Sequence, residues 1–105
     1  MRETLRHLVC ESDLLSREER GVLLLPMERE TLTTDFGLTL SAVAHALNLA
    51  PRQLFHETGR CRLPMRDQEI ADLLGIQGTA KSTARQRVAT YYRMSARRKL
   101  LPHLQ

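Results

Sequence analysis

A chain of 105 residues with net charge +4 is long enough for one hydrophobic core and too short for two independent ones. Val and Ile together occur six times while Leu abounds, a balance that suits helices and starves β-sheets, so the expected fold is all-α: one small multi-helix domain. The longest aliphatic run, Val22-Leu23-Leu24-Leu25, falls far short of the roughly 20 residues of a membrane span, and the acid-containing stretch Met1 to His7 leads into no apolar signal region, which makes the cytoplasm the expected location.

In chain order, Leu5, Leu8 and Val9 share one face of a first short helix that ends near Ser12 and Asp13. Cys10 on that helix and Cys61 form no CxxC pair, so both are expected as reduced thiols, with no zinc site. Ser16 followed by Glu19 is a capping box that opens a second helix, which must stop or kink before Pro26. Pro26 then suits the first turn of a third helix with Glu28 and Glu30 at its positive end, closed by Gly37. A fourth runs over about 39–47. Pro51 opens a fifth, with Leu54 and Phe55 facing inward and Gly59 as its terminator. Residues 60–64 read as extended, because Pro64 disfavours helical angles in its predecessor. A sixth helix over about 66–74 and a long seventh over about 79–100 complete the chain. The organisation expected is an N-terminal helical, dimerising part over 1–59 and a helix-turn-helix with a basic last helix over 60–105.

Charge divides along the same line. Residues 1–76 hold nine Arg against all twelve acids, a net of −3, whereas residues 77–105 hold Lys81, Arg85, Arg87, Arg93, Arg97, Arg98 and Lys99 with no acid, a net of +7. Cations without acids on the same helix lose i,i+4 pairing and repel one another, so such a stretch points to an external polyanion, most often nucleic acid.

A faint repeat runs at a period of 27 residues: Val43, Ala44, Leu47 and Leu49 are echoed by Ile70, Ala71, Leu74 and Ile76. Each copy looks like the first half of a helix-turn-helix. In the second, Ala71 lets two helices approach, Gly75 permits a left-handed turn, and Ile70, Leu74 and Ile76 anchor the pair. The stretch Leu63-Pro64-Met65-Arg66-Asp67-Gln68-Glu69-Ile70-Ala71-Asp72-Leu73-Leu74-Gly75-Ile76 resembles the DNA-binding motif of Crp/FNR-type regulators, in which such a segment precedes the recognition helix. The resemblance implies a sequence-specific DNA-binding transcriptional regulator. It stops at the motif: Lys81 stands where an apolar anchor belongs, unless a longer turn makes Ala84 and Val88 the anchors, and neither an effector-binding barrel nor a glycine-rich wing accompanies it. Leu47-x-Leu49, Leu54, Glu57-Thr58 and Cys61-x-Leu63-x-Met65 are similar to FlhD-type activator subunits. That likeness implies a helical, dimeric protein that shares DNA contact with a second subunit.

The candidates for meeting double-stranded DNA are Gln77, Thr79, Lys81, Ser82, Thr83, Arg85, Gln86 and Arg87 on the recognition helix, with Arg93, Arg97, Arg98 and Lys99 adding phosphate attraction. Five engaged cations would give a slope of log affinity on log salt of about −4.5. Ala84, Val88, Tyr91 or Tyr92 and Ser95 are expected on the buried stripe, the tyrosines as core or dimer contacts. The earlier pair, Val43 to Leu54, offers only Arg52 and Gln53 to bases and is assigned to packing or dimerisation. His45 and His56 are read as local or solvent-facing rather than as metal ligands. With no Gly-rich phosphate loop, HExxH or GxSxG in the chain, an enzyme is not expected, nor any cofactor. The two functions left are a homodimeric regulator whose leucine-rich N-terminal helices pair, and a protein-binding module (an anti-activator or activator subunit) docking on another regulator or on RNA polymerase.

Overall fold

A computed structural model describes residues 2–104, so Met1 and Gln105 of the expected domain lie outside the described residues, as does the side chain of Arg2. The helices are α1 (Arg2–Arg6), which runs on as a π-helical turn (His7–Glu11), α2 (Arg17–Leu24), α3 (Arg29–Phe36), α4 (Leu40–Ala46), α5 (Asp67–Leu74), α6 (Ala84–Arg87) and α7 (Arg93–Leu104). A π-helical stretch (Val88–Tyr92) joins α6 to α7 as one rod. The fold is all-α: the only β feature among the described residues is a single bridge between Phe55 and Cys61. The molecule measures 40 × 39 × 19 Å.

α2 is the hub. Ser16 caps it as the sequence indicates, its hydroxyl accepting from Glu19 N at 3.2 Å while Glu19 Oε1 accepts from Ser16 N at 2.8 Å. Its inner face buries Val22 and Leu24, and Gly21 lets α5 come close enough that a Cβ there would lie 2.3 Å from Leu74 Cδ1. Two arginines of α2 also bind its neighbours. Arg17 donates to the carbonyls of Leu47 and Leu74, and Arg20 to those of Ala46 and Ser12. Guanidinium groups therefore satisfy carbonyls left without intrahelical donors at the ends of α4 and α5, and place positive charge at the negative ends of those helices. Arg20 Nε is buried without a partner.

The 27-residue repeat is present in the backbone. Thr39 and Arg66 occupy the N-cap positions of α4 and α5, the former with its hydroxyl accepting from Ala42 N, Asn48 and Gly75 both have positive φ (55° and 71°), and Leu49 N to Ala44 O (2.8 Å) matches Ile76 N to Ala71 O (2.9 Å). Arg17 joins the two copies, since Leu47 and Leu74 are themselves equivalent. Val43, Ala44, Ile70 and Ala71 are all fully buried.

Three expectations need correction. Pro26 lies in the turn between α2 and α3 rather than in the first turn of α3, which Glu28 caps and Gly37 (φ 65°) closes. The fifth helix is only a 3-10 turn (Pro51–Leu54). Burial of Leu54 fixes that turn in the core, and the chain then leaves extended to form the Phe55–Cys61 bridge, with Gly59 (φ 87°) serving the tight reversal. The last helix starts at Ala84, five residues later than expected, and runs through Pro102 to Leu104.

Candidate nucleic-acid interface

The second repeat copy leads from α5 through Gly75 into a nine-residue connection, 75–83, before α6 begins. A helix-turn-helix ordinarily uses about three or four residues there, so this unit is a helix, a long loop and a helix. Local hydrogen bonds explain the late start. The Thr79 hydroxyl is used inside the loop, accepting from Lys81 N at 3.3 Å and Ser82 N at 3.1 Å, while Thr79 N donates to Ser82 O at 2.7 Å. Thr83 and Gln86 form the capping box that opens α6, with bonds of 3.1 and 2.9 Å. Gly78 makes the reversal possible: a Cβ there would lie 2.9 Å from Ser82 O and 3.2 Å from Ala84 N, both backbone atoms.

Gln77, Thr79, Lys81 and Ser82, expected on a recognition helix, therefore sit on the loop; Thr83 caps α6, and Arg85, Gln86 and Arg87 lie in its first turn. Lys81 is exposed and anchors nothing. Val88, fully buried, and half-buried Ala84 take the anchoring role. Val88, Tyr92, Ala96 and Leu100 make the inward stripe, with Tyr92 half-buried, whereas Tyr91 is 59% exposed.

The seven cations of the acid-free stretch separate into two groups. Arg93 pairs with Asp67 of α5 at 3.0 Å, and Lys99 with Glu19 of α2 at 2.7 Å. Arg87 donates to Gln77 O at 2.9 Å and lies over the Tyr91 and Tyr92 rings, 5.3 Å from each centroid, a cation-π arrangement that withdraws it from solvent. Lys81, Arg85, Arg97 and Arg98 are exposed and have no ion-pair partner among the described residues. The loop carrying Lys81 rims an open depression with Gly78, Thr79, Ser82, Thr83 and Gln86.

Glu19 sets the seat of the last helix. Its carboxylate, 2% exposed, accepts from Ser95 Oγ and Lys99 Nζ, across 76 and 80 residues of chain, and from the Ser16 backbone. Burial alone would raise its pKa; the bonds from Lys99, the Ser16 backbone and the Ser95 and Ser16 hydroxyls outweigh that and hold it at about 2. Glu19 reads in the sequence only as half of a capping box, and nothing in the spacing marks its second task. Asp67 is likewise legible there only as an acid in the first turn of α5.

The N-terminal leucines expected to form a pairing surface are turned inward: Leu15, Leu24 and Leu25 are buried in the core, and Leu5, Leu8, Leu14 and Leu23 pack against it. The large exposed apolar side chains among the described residues, Tyr91, Met94, Leu101 and Leu104, all lie on the last helical rod. In the earlier repeat copy, Gln53 is tied to Ala50 N at 2.9 Å, leaving Arg52 exposed. His45 and His56 are both exposed.

Comparison with protein families, with characterised proteins and with solved structures finds no match to this chain.

Proposed function

We propose that the chain is a sequence-specific DNA-binding transcriptional regulator of the cytoplasm that acts as a dimer. In this reading it presents the 77–83 loop and the outer edge of its last helix to double-stranded DNA. One observation carries the reading: Lys81, Arg85, Arg97 and Arg98 stand exposed, without an ion-pair partner among the described residues, on the 77–83 loop and on a rod packed along its Val88, Ala96 and Leu100 side. Phosphates laid against them supply a counter-charge that no acid among the described residues supplies. The Thr79 and Ser82 hydroxyls can donate to phosphate oxygens, while Gln77, Lys81 and Arg85 offer donors to base edges. The likeness of 63–76 to the Crp/FNR-type motif supports the same class of partner, with the 75–83 loop in place of that motif's tight turn. No catalytic step, metal or cofactor belongs to this reading.

With Arg87, Arg93 and Lys99 engaged by Gln77 O, Asp67 and Glu19, four cations remain, and the slope of log affinity on log salt is expected at about −3.6 rather than about −4.5. Fluorescence anisotropy of a labelled duplex, titrated at two salt concentrations, measures it. The Lys81→Glu, Arg85→Glu double variant changes two exposed side chains and should bind far more weakly; absence of binding at low salt, or binding unaffected by the pair, refutes the proposal.

A second reading, a module that docks on another regulator or on RNA polymerase as an FlhD-like subunit does, is favoured by the exposed Tyr91, Met94 and Leu101, which are 59%, 57% and 55% accessible. Apolar side chains spaced i, i+3 and i+10 on one helix are a protein-contact pattern. Under that reading Met94→Glu with Leu101→Glu abolishes partner binding and leaves DNA affinity at its original value.

A further inference from the structure

The space bounded by the N-terminal helix, α2, the end of α3 and the last turns of α7 is not filled by the described residues. A cavity of 120 Å³ lies there. Val9 and Cys10 form one wall, Leu23 and Leu24 of α2 a second, Phe36 and Leu38 a third, and Leu100 of the basic rod closes it. The surface it presents is wholly apolar. Arg6 contributes its aliphatic stem, with its guanidinium beside Gly37, in the manner of long cationic side chains that cover apolar surface while keeping the charge in water. Cys10 adds no charge either, since burial pushes its thiol up from the ordinary range. Leu5, Cys10, Met27 and Phe36 are only half-buried, so the cavity reaches the surface and has a way in.

Well-packed interiors leave few voids larger than a water molecule. Water is a poor filler here, because an ordered water needs two to four polar partners and this lining offers none. An apolar void of about 150 Å³ in another protein stays dry and takes up benzene. We propose that this cavity is a binding site for a compact hydrocarbon-like molecule, a single ring or short alkyl chain of about six to eight heavy atoms. The sulfurs of Cys10 and Met27 and the Phe36 ring favour an aromatic occupant. Through Leu100 the occupant touches the same rod that bears Arg97 and Arg98.

Toluene is the probe, titrated into the full chain with labelled Leu, Val, Ile and Met methyl groups and followed by NMR. Saturable single-site shifts are expected at Leu5, Val9, Leu38 and Leu100, while Ile70 and Leu54, which do not line the cavity, hold still. Cys10→Phe fills the space with the protein's own ring and should weaken toluene binding by at least roughly tenfold through steric exclusion. If that variant does not fold, Cys10→Met, a smaller filling change, should show a lesser loss in the same direction. The proposal is overturned by the absence of saturable shifts up to the solubility of toluene, by shifts of equal size at Ile70 and Leu54, or by a folded Cys10 variant that binds as the original chain does.

Discussion

Replacing Glu19 by Gln removes the charge that seats the last helix while keeping the shape of the side chain. In the native molecule that carboxylate receives Lys99 at 2.7 Å, Ser95, and the Ser16 backbone N–H at 2.8 Å, and is 2% exposed. A carboxyl held at about 2 instead of its ordinary 4.5 corresponds, at about 1.4 kcal/mol per tenfold, to a ceiling of about 3 kcal/mol. Lys99 is 43% exposed, and solvent screening of that partner brings the expected contribution down to about 1–2 kcal/mol. The sign is set by the depressed folded-state value: the contribution is complete above about pH 4.5, where the unfolded carboxyl is ionised, and is lost as pH falls toward 2. Urea unfolding of the native chain and of Glu19→Gln at pH 6 and at about pH 2.5, near the lower end of that window, measures the effect. The native chain should be more stable than the variant by about 1–2 kcal/mol at pH 6, and the gap should narrow at the lower pH. A variant whose stability declines with acid as steeply as that of the native chain would show that Glu19 does not hold the rod in place.

Gly78→Val brings a side chain against Ser82 O and Ala84 N, backbone atoms that cannot rotate away; a loss of about 1–3 kcal/mol in thermal unfolding is expected, with weaker duplex binding because the loop bearing Lys81 must move. Arg17→Met strips the carbonyls of Leu47 and Leu74 of their shared donor and should cost about 1–3 kcal/mol in urea unfolding. Ile70→Ala opens a void at a fully buried position and should cost about 2–5 kcal/mol, seen as a drop in Tm of about 4–8 °C for each kcal/mol. Arg97→Ala with Arg98→Ala, both exposed, should leave Tm within about 2 °C while lowering the salt slope of duplex binding by about 1.8.

The repeat shows why part of the fold is legible in the chain. Ala44 and Ala71, Leu47 and Leu74, Leu49 and Ile76 sit 27 residues apart, and each pair performs the same local task around a left-handed residue, Asn48 or Gly75. Beyond the two copies the chain takes different paths, for reasons that lie outside the repeat itself. After Pro51 it is drawn into the core by Leu54 and into the bridge by Phe55 and Cys61. After Gly75 the Thr79 hydroxyl turns the loop on itself, which displaces the expected helix start to the capping box at Thr83. Propensity favours a helix from Thr79, and side-chain bonds within four residues override it.

Composition, capping residues and apolar spacing by themselves settled the all-α class, the opening of α2 and the left-handed turns at Gly37 and Gly75, because each depends on contacts within a few residues. Tertiary structure alone decided which cations of the last helix have an acid within reach. Arg93 and Lys99 meet Asp67 and Glu19, partners 26 and 80 residues away, and such pairings come from how α7 lies across α2 and α5 rather than from any spacing along the chain. A charge counted in the sequence is available to a partner only if folding has not already brought its opposite within reach.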